Sequence, residues 1–117
     1  MILGGRAAEA RGGAEEGHEL ARRQGERGTE AVALQILGGV HAALDDPARA
    51  EACYRDALAL AEALGMRPVI ARCHVGLGRL QRAFGSTAAG DDSLDLAARM
   101  FSDMGAPAWV DEIRRIR

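Results

Sequence analysis

The chain contains no lysine: all fifteen of its basic residues are arginine. This reads first as the codon usage of a GC-rich genome. Only where arginines cluster does the planar guanidinium fork suggest a carboxylate or phosphate partner. Aromatic residues are scarce too, with one Trp, one Tyr and two Phe among 117 residues. Two cysteines, Cys53 and Cys73, are too few for a disulfide framework. No run alternates apolar and polar residues with β-branched enrichment, so strands are not expected. No stretch approaches the roughly eighteen apolar residues needed to span a bilayer. The opening Met1-Ile2-Leu3-Gly4-Gly5 lacks the basic region and long apolar run of a secretory signal. A cytoplasmic location without membrane attachment is the expectation. A net charge of −2 and a pI near 5.9 argue against general nucleic-acid binding.

What the chain does have is a repeat. Gly25, Gly65 and Gly105 lie forty residues apart, closing segments that end Gln24-Gly25, Leu64-Gly65 and Met104-Gly105. Leu37-Gly38 recurs as Leu77-Gly78, Ala57 as Ala97, and Ala10 and Ala50 are answered by Gly90. A period of this length with helical spacing inside it marks a stack of helix-turn-helix units. About half the residues are apolar, and much of that share is alanine, which favours close-packed helices.

Helices can be read individually. From Pro47 to Leu64 the residues Ala50, Cys53-Tyr54, Ala57-Leu58, Ala61 and Leu64 form one stripe, with Asp45-Asp46-Pro47 to start it and Gly65 to stop it. Pro68 opens the next, whose inner face holds Ile70, Cys73-His74, Leu77, Leu80 and Phe84. Gly85-Ser86 ends it and caps a helix carrying Leu94, Ala97-Ala98, Phe101 and Met104. Pro107 begins a short last helix with Trp109, Ile113 and Ile116. Earlier, a helix is expected from about Thr29 to Leu44, and one from about Arg6 to Gln24. Gly12, Gly13 and Gly17 weaken that first helix by roughly 1 kcal/mol each relative to alanine. Six helices with short connections require antiparallel neighbours.

These residues resemble tetratricopeptide repeats. That pattern has a Leu-Gly pair in the first helix, a turn, then a small residue, an aromatic and another small residue in the second. The middle unit reads Leu37-Gly38, the turn at Asp45, Ala50, Tyr54 and Ala57; the later one reads Leu77-Gly78, Gly85, Gly90, Leu94 and Ala97. His41 and Gln81 stand where the family often has an aromatic, and Gly90 replaces the usual alanine. Forty residues exceed the commonest period of about thirty-four, implying helices about a turn longer. Residues 50–110 are further similar to the C-terminal repeat region of large bacterial signalling proteins with adenylate cyclase and ATPase domains. Ala63-Leu64-Gly65-Met66-Arg67-Pro68, Arg72-Cys73-His74-Val75-Gly76-Leu77-Gly78, and Met104-Gly105 before Trp109 carry that likeness. It implies a terminal piece or a stand-alone relative of such a regulator. The cyclase and ATPase activities do not carry over, since their motifs are absent from these residues.

Candidate chemistry is thin. No Gly-Lys-Ser/Thr follows a glycine-rich turn, and Gly76-Leu77-Gly78 fits helix packing better than a dinucleotide loop. Cys73 and His74 diverge by about 100° on a helix, poorly placed to share an ion or to act as a nucleophilic pair. His18, His41 and His74 fall on three helices without ligand spacing. Glu15-Glu16 and Asp91-Asp92 read as solvated faces or helix N-terminal charge. No metal, cofactor or catalytic group is expected. Arg72, Arg79 and Arg82 fall within about 80° of one another on one helix face. By the family resemblance that face points into a concave groove, with Arg115 on the matching face one unit later. Such a groove would attract an acidic peptide or a phosphate; the alternative is a solvated face with ion pairs to neighbouring acids.

The reading that follows is an all-α fold of one domain, 1–117, in the form of a right-handed solenoid of antiparallel helix pairs. The pairs overlap at about 6–44, 29–64 and 68–104, with a terminal helix at 107–117. The expected role is non-catalytic protein–protein interaction or scaffolding. A sensor closing over a small acidic ligand is the alternative. Self-association through the N-terminal end is also expected, because the segment from Arg6 to Gln24 would lack a covering helix.

Overall fold

Pro47, Pro68 and Pro107 each lie in the first turn of a helix, where a missing N–H costs no intrahelical bond. The computed structural model describes residues 2–116, which are all-α. The six helices are α1 (Ile2–Gln24), α2 (Arg27–Ala43), α3 (Pro47–Leu64), α4 (Arg67–Phe84), α5 (Thr87–Asp103) and α6 (Pro107–Ile116). None of them is long and apolar enough to cross a membrane. Two helices start earlier than the sequence pattern suggests, at Ile2 rather than about Arg6 and at Arg27 rather than about Thr29. Glycine is only a weak breaker and no proline intervenes before Pro47.

Four of the five connections are the same turn. Gly25, Asp45, Gly65 and Gly105 have φ of 71°, 58°, 68° and 71°. At each, the residue's N–H donates to the carbonyl three positions back, at Arg22, Ala42, Glu62 and Ser102. The next N–H donates to the carbonyl five back, at Ala21, His41, Ala61 and Phe101. This is the double-bonded left-handed cap of a helix C-terminus, and those last four residues are all buried. Asp45 takes the place of a glycine, and Asp is among the side chains that tolerate this conformation. The fifth connection differs: Gly85 makes one bond to Gln81 and leads into Ser86, whose Oγ accepts from the Ala89 N–H. Asp46 likewise caps α3, accepting from the Arg49 N–H at 3.2 Å, a contact worth about 1 kcal/mol.

Each helix packs on the next, and α2 also meets α4. Contacts join early residues of one helix to late residues of its neighbour: Gly38 to Tyr54 between α2 and α3, and Gly78 to Leu94 between α4 and α5. His18 of α1 approaches Glu30 of α2 in the same sense. These pairs are therefore antiparallel.

Three apolar clusters form the core. Ala31, Leu34, Ala57, Ala61, Val69 and Cys73 join α2, α3 and α4. Ala50, Tyr54, Leu77 and Leu80 form the second. Ala71, Val75, Leu94, Ala97, Phe101 and Ile113 join α4, α5 and α6. The repeat is visible in the packing. A Cβ on Gly38 would come within 2.8 Å of the Tyr54 ring, and one on Gly78 within 2.8 Å of Leu94 Cγ. Gly90, the departure from alanine, is required because a Cβ there would lie 2.6 Å from Arg82 Cγ and 2.7 Å from the Gly78 carbonyl oxygen. Phe84 corrects the expected stripe. It is 59% exposed, because it is the last residue of α4 and lies at the end of the packed face.

Candidate functional site

Between α2 and α4 lies a hollow of about 330 Å³. Small residues open it: Gly39 and Ala43 on α2, Gly76 and Ala83 on α4. With no side chain at Gly76 and a glycine at 39, the ring of Tyr54 on α3 reaches the hollow from beneath. Arg79 and exposed Phe84 complete its walls. Burial raises the pKa of the Tyr54 phenol, with Cys73 adding to the shift and the Arg79 charge opposing it. The hydroxyl thus stays a neutral donor at physiological pH. An apolar floor with a phenol and a guanidinium at its edge suits a side chain or chain segment bearing acceptor oxygens.

The four arginines singled out in the sequence are held in four different ways. Arg72 and Arg79 share one face of α4, two turns or about 10 Å apart. The Arg72 guanidinium lies over the Trp109 ring of α6, 5.6 Å from its centroid, a cation–π contact. Trp109 is itself stacked on Phe101, with centroids 4.8 Å apart and planes 6° from parallel. Arg72 Nε is buried and has no hydrogen-bond partner among the described residues. Arg79 is at the hollow. Arg82 leans to α5, where it pairs with Asp91, its stem lying over Gly90. Arg115 pairs with Glu112 of its own helix at 3.1 Å and is largely exposed.

Tyr54, Gly39 and Phe84 join the hollow without having been singled out as site residues. The signal available was Gly76: forty positions earlier stands Ile36, so this glycine is not part of the repeat and marks a close approach. Cys73 is fully buried, and desolvation pushes its thiol up to about 12, so it stays protonated and unreactive at neutral pH. His74 is half-buried, and burial lowers its pKa. Among the described residues no three of His, Cys, Asp and Glu come together as metal ligands. No protein-family model matches the chain, and no curated protein does so.

Proposed function

We propose that the chain is a non-catalytic interaction module of the tetratricopeptide kind. In this reading it is a piece or relative of the repeat region of a bacterial signalling regulator, and it holds an acidic segment of a partner protein along the α2–α4 face. The observation that carries the reading is the hollow built by Gly39, Ala43, Gly76 and Ala83 over Tyr54, with Arg79 at its edge. The contact of α2 with α4, the forty-residue recurrence of Gly38 and Gly78 against Tyr54 and Leu94, and the identical turns support stacked helix pairs. Arg72, two turns from Arg79 and steadied by Trp109, extends the basic face. Arg82 and Arg115, already paired with Asp91 and Glu112, contribute less.

A blocked decapeptide of Glu, Asp and Leu, titrated while the fluorescence of the single Trp109 is followed, tests this. Binding should weaken with salt and fall about ten-fold in Arg79→Glu. Equal binding of the Gln/Asn version of the peptide would defeat the proposal. Self-association through α1 belongs to the same reading, since Leu20 is 52% exposed there. Sedimentation over a wide concentration range should show a dimer that Leu20→Glu removes; a monomer throughout would discard it.

A further inference from the structure

A second, larger hollow of about 420 Å³ opens where α1, α2 and α3 meet. Its lining comes from three helix faces. Arg27, Glu30 and Leu34 form one stripe of α2, Asp56, Ala59, Leu60 and Ala63 one stripe of α3, and His18 stands on α1. The floor is apolar, with Leu34 buried and Leu60 half-buried. One wall holds His18 and Glu30, whose Nε2 and Oε2 lie 3.8 Å apart, with both side chains about three-quarters buried. The other polar groups of the lining are Arg27 and Asp56. Neither Arg27 nor Asp56 has an ion-pair partner within 4 Å among the described residues, although both are exposed beside the hollow.

Their separation follows from the antiparallel register. Gly28 approaches Met66 just beyond α3, while Gly38 approaches Tyr54. Asp56 is therefore level with about the third turn of α2, and Arg27 stands at its start. At about 1.5 Å per residue the two charges face one trough from positions offset by some 13 Å along the helix axes. An extended chain of about four residues covers that length. We propose that this trough is a second binding site. It takes an extended peptide segment about four residues long, with a carboxylate side chain over Arg27, a cationic side chain over Asp56, and apolar residues between them on Leu34 and Leu60. The complementarity is one of order as well as sign. A uniformly acidic segment, suited to the Arg79 face, meets Asp56 and Glu30 in this trough and is repelled.

The test uses blocked tetrapeptides, Ac-Lys-Leu-Ala-Glu-NH2 and its reverse Ac-Glu-Leu-Ala-Lys-NH2, titrated into the full chain with amide resonances followed by NMR. One of the two should shift the resonances of His18, Arg27, Glu30, Asp56 and Leu60 while leaving Gly39, Gly76 and Arg79 unmoved. Arg27→Glu or Asp56→Lys alone should weaken it about three-fold. The double variant Arg27→Glu/Asp56→Lys should bind the peptide of opposite order instead. Both positions are exposed, so circular dichroism should show the fold retained. Equal shifts from Ac-Gln-Leu-Ala-Gln-NH2, no shifts at these residues, or a double variant without reversed preference would each overturn the proposal. Because the Arg79 face is read in the same spectra, its success or failure is scored separately.

Discussion

The ring of Tyr54 fills the space that a side chain on Gly76 would need: a Cβ there would lie 2.2 Å from Tyr54 Cζ. A Cβ on Gly38 would meet the same ring at 2.8 Å. One aromatic residue of α3 is therefore packed as a wedge against glycines of two different helices, and it links the α2–α3 pair to α4. The same wedge brings the phenol to the α2–α4 hollow, so the joint between units and the candidate site are one construction.

Gly76→Ala should consequently destabilise the protein, by roughly 1–3 kcal/mol from overpacking. Urea unfolding measures this. Tyr54→Leu, which places the side chain found at the equivalent Leu94, should recover part of the loss in the double variant. Additive losses would mean that the ring and the glycine do not share the space.

Ala57 is fully buried between α2, α3 and α4. Ala57→Leu should cost roughly 1–3 kcal/mol, more than removal of an exposed ion pair such as Arg55 with Glu51, which is worth about 0.3–0.5 kcal/mol. Thermal melts of Ala57→Leu and Arg55→Ala compare the two directly.

Much of this fold was legible because its punctuation is local. Proline at helix starts, Asp46 and Ser86 as caps, and glycine at left-handed turns act within a few residues, so the ends of α3 match the pattern to the residue. The starts of α1 and α2 were less legible because no such residue marks them. The site was harder to read for a different reason. Helical angles place Arg72, Arg79 and Arg82 on one face, but the final direction of a long side chain depends on its neighbours. The glycine at 90 lets Arg82 lie across to Asp91, and Trp109 claims Arg72. Such contacts join residues far apart in sequence, where periodicity carries no signal.

The glycines of α1 should respond in the opposite direction to Gly76. A Cβ at Gly13 or Gly17 would meet nothing within 4 Å, and both lie inside the helix. Gly13→Ala and Gly17→Ala should each stabilise α1 by up to about 1 kcal/mol. Hydrogen exchange is the sensitive readout. Amides between Arg11 and Gln24 should exchange fastest of the helical amides in the parent and slow in the double variant, while those of α4 stay unchanged.

Two groups on α4, the buried Cys73 and the half-buried His74, make stability depend on pH. His74 has its pKa lowered by desolvation, with Glu62 opposing, so the folded state resists a proton that the unfolded chain accepts. Stability from this source is complete above the ordinary histidine value near 6.5 and falls as pH drops below it. Cys73 acts at the other end. Its thiol, pushed to about 12, stays protonated in the folded protein while the unfolded chain loses that proton above about pH 9, so stability falls from pH 9 upward. Denaturation midpoints should therefore decline on both sides of a plateau between about pH 7 and 9. His74→Gln should flatten the acid limb and Cys73→Ala the alkaline one. A thiol reagent at pH 8 should label Cys53, which is half-buried, well before Cys73, and equal labelling rates in the folded protein would contradict the burial of Cys73.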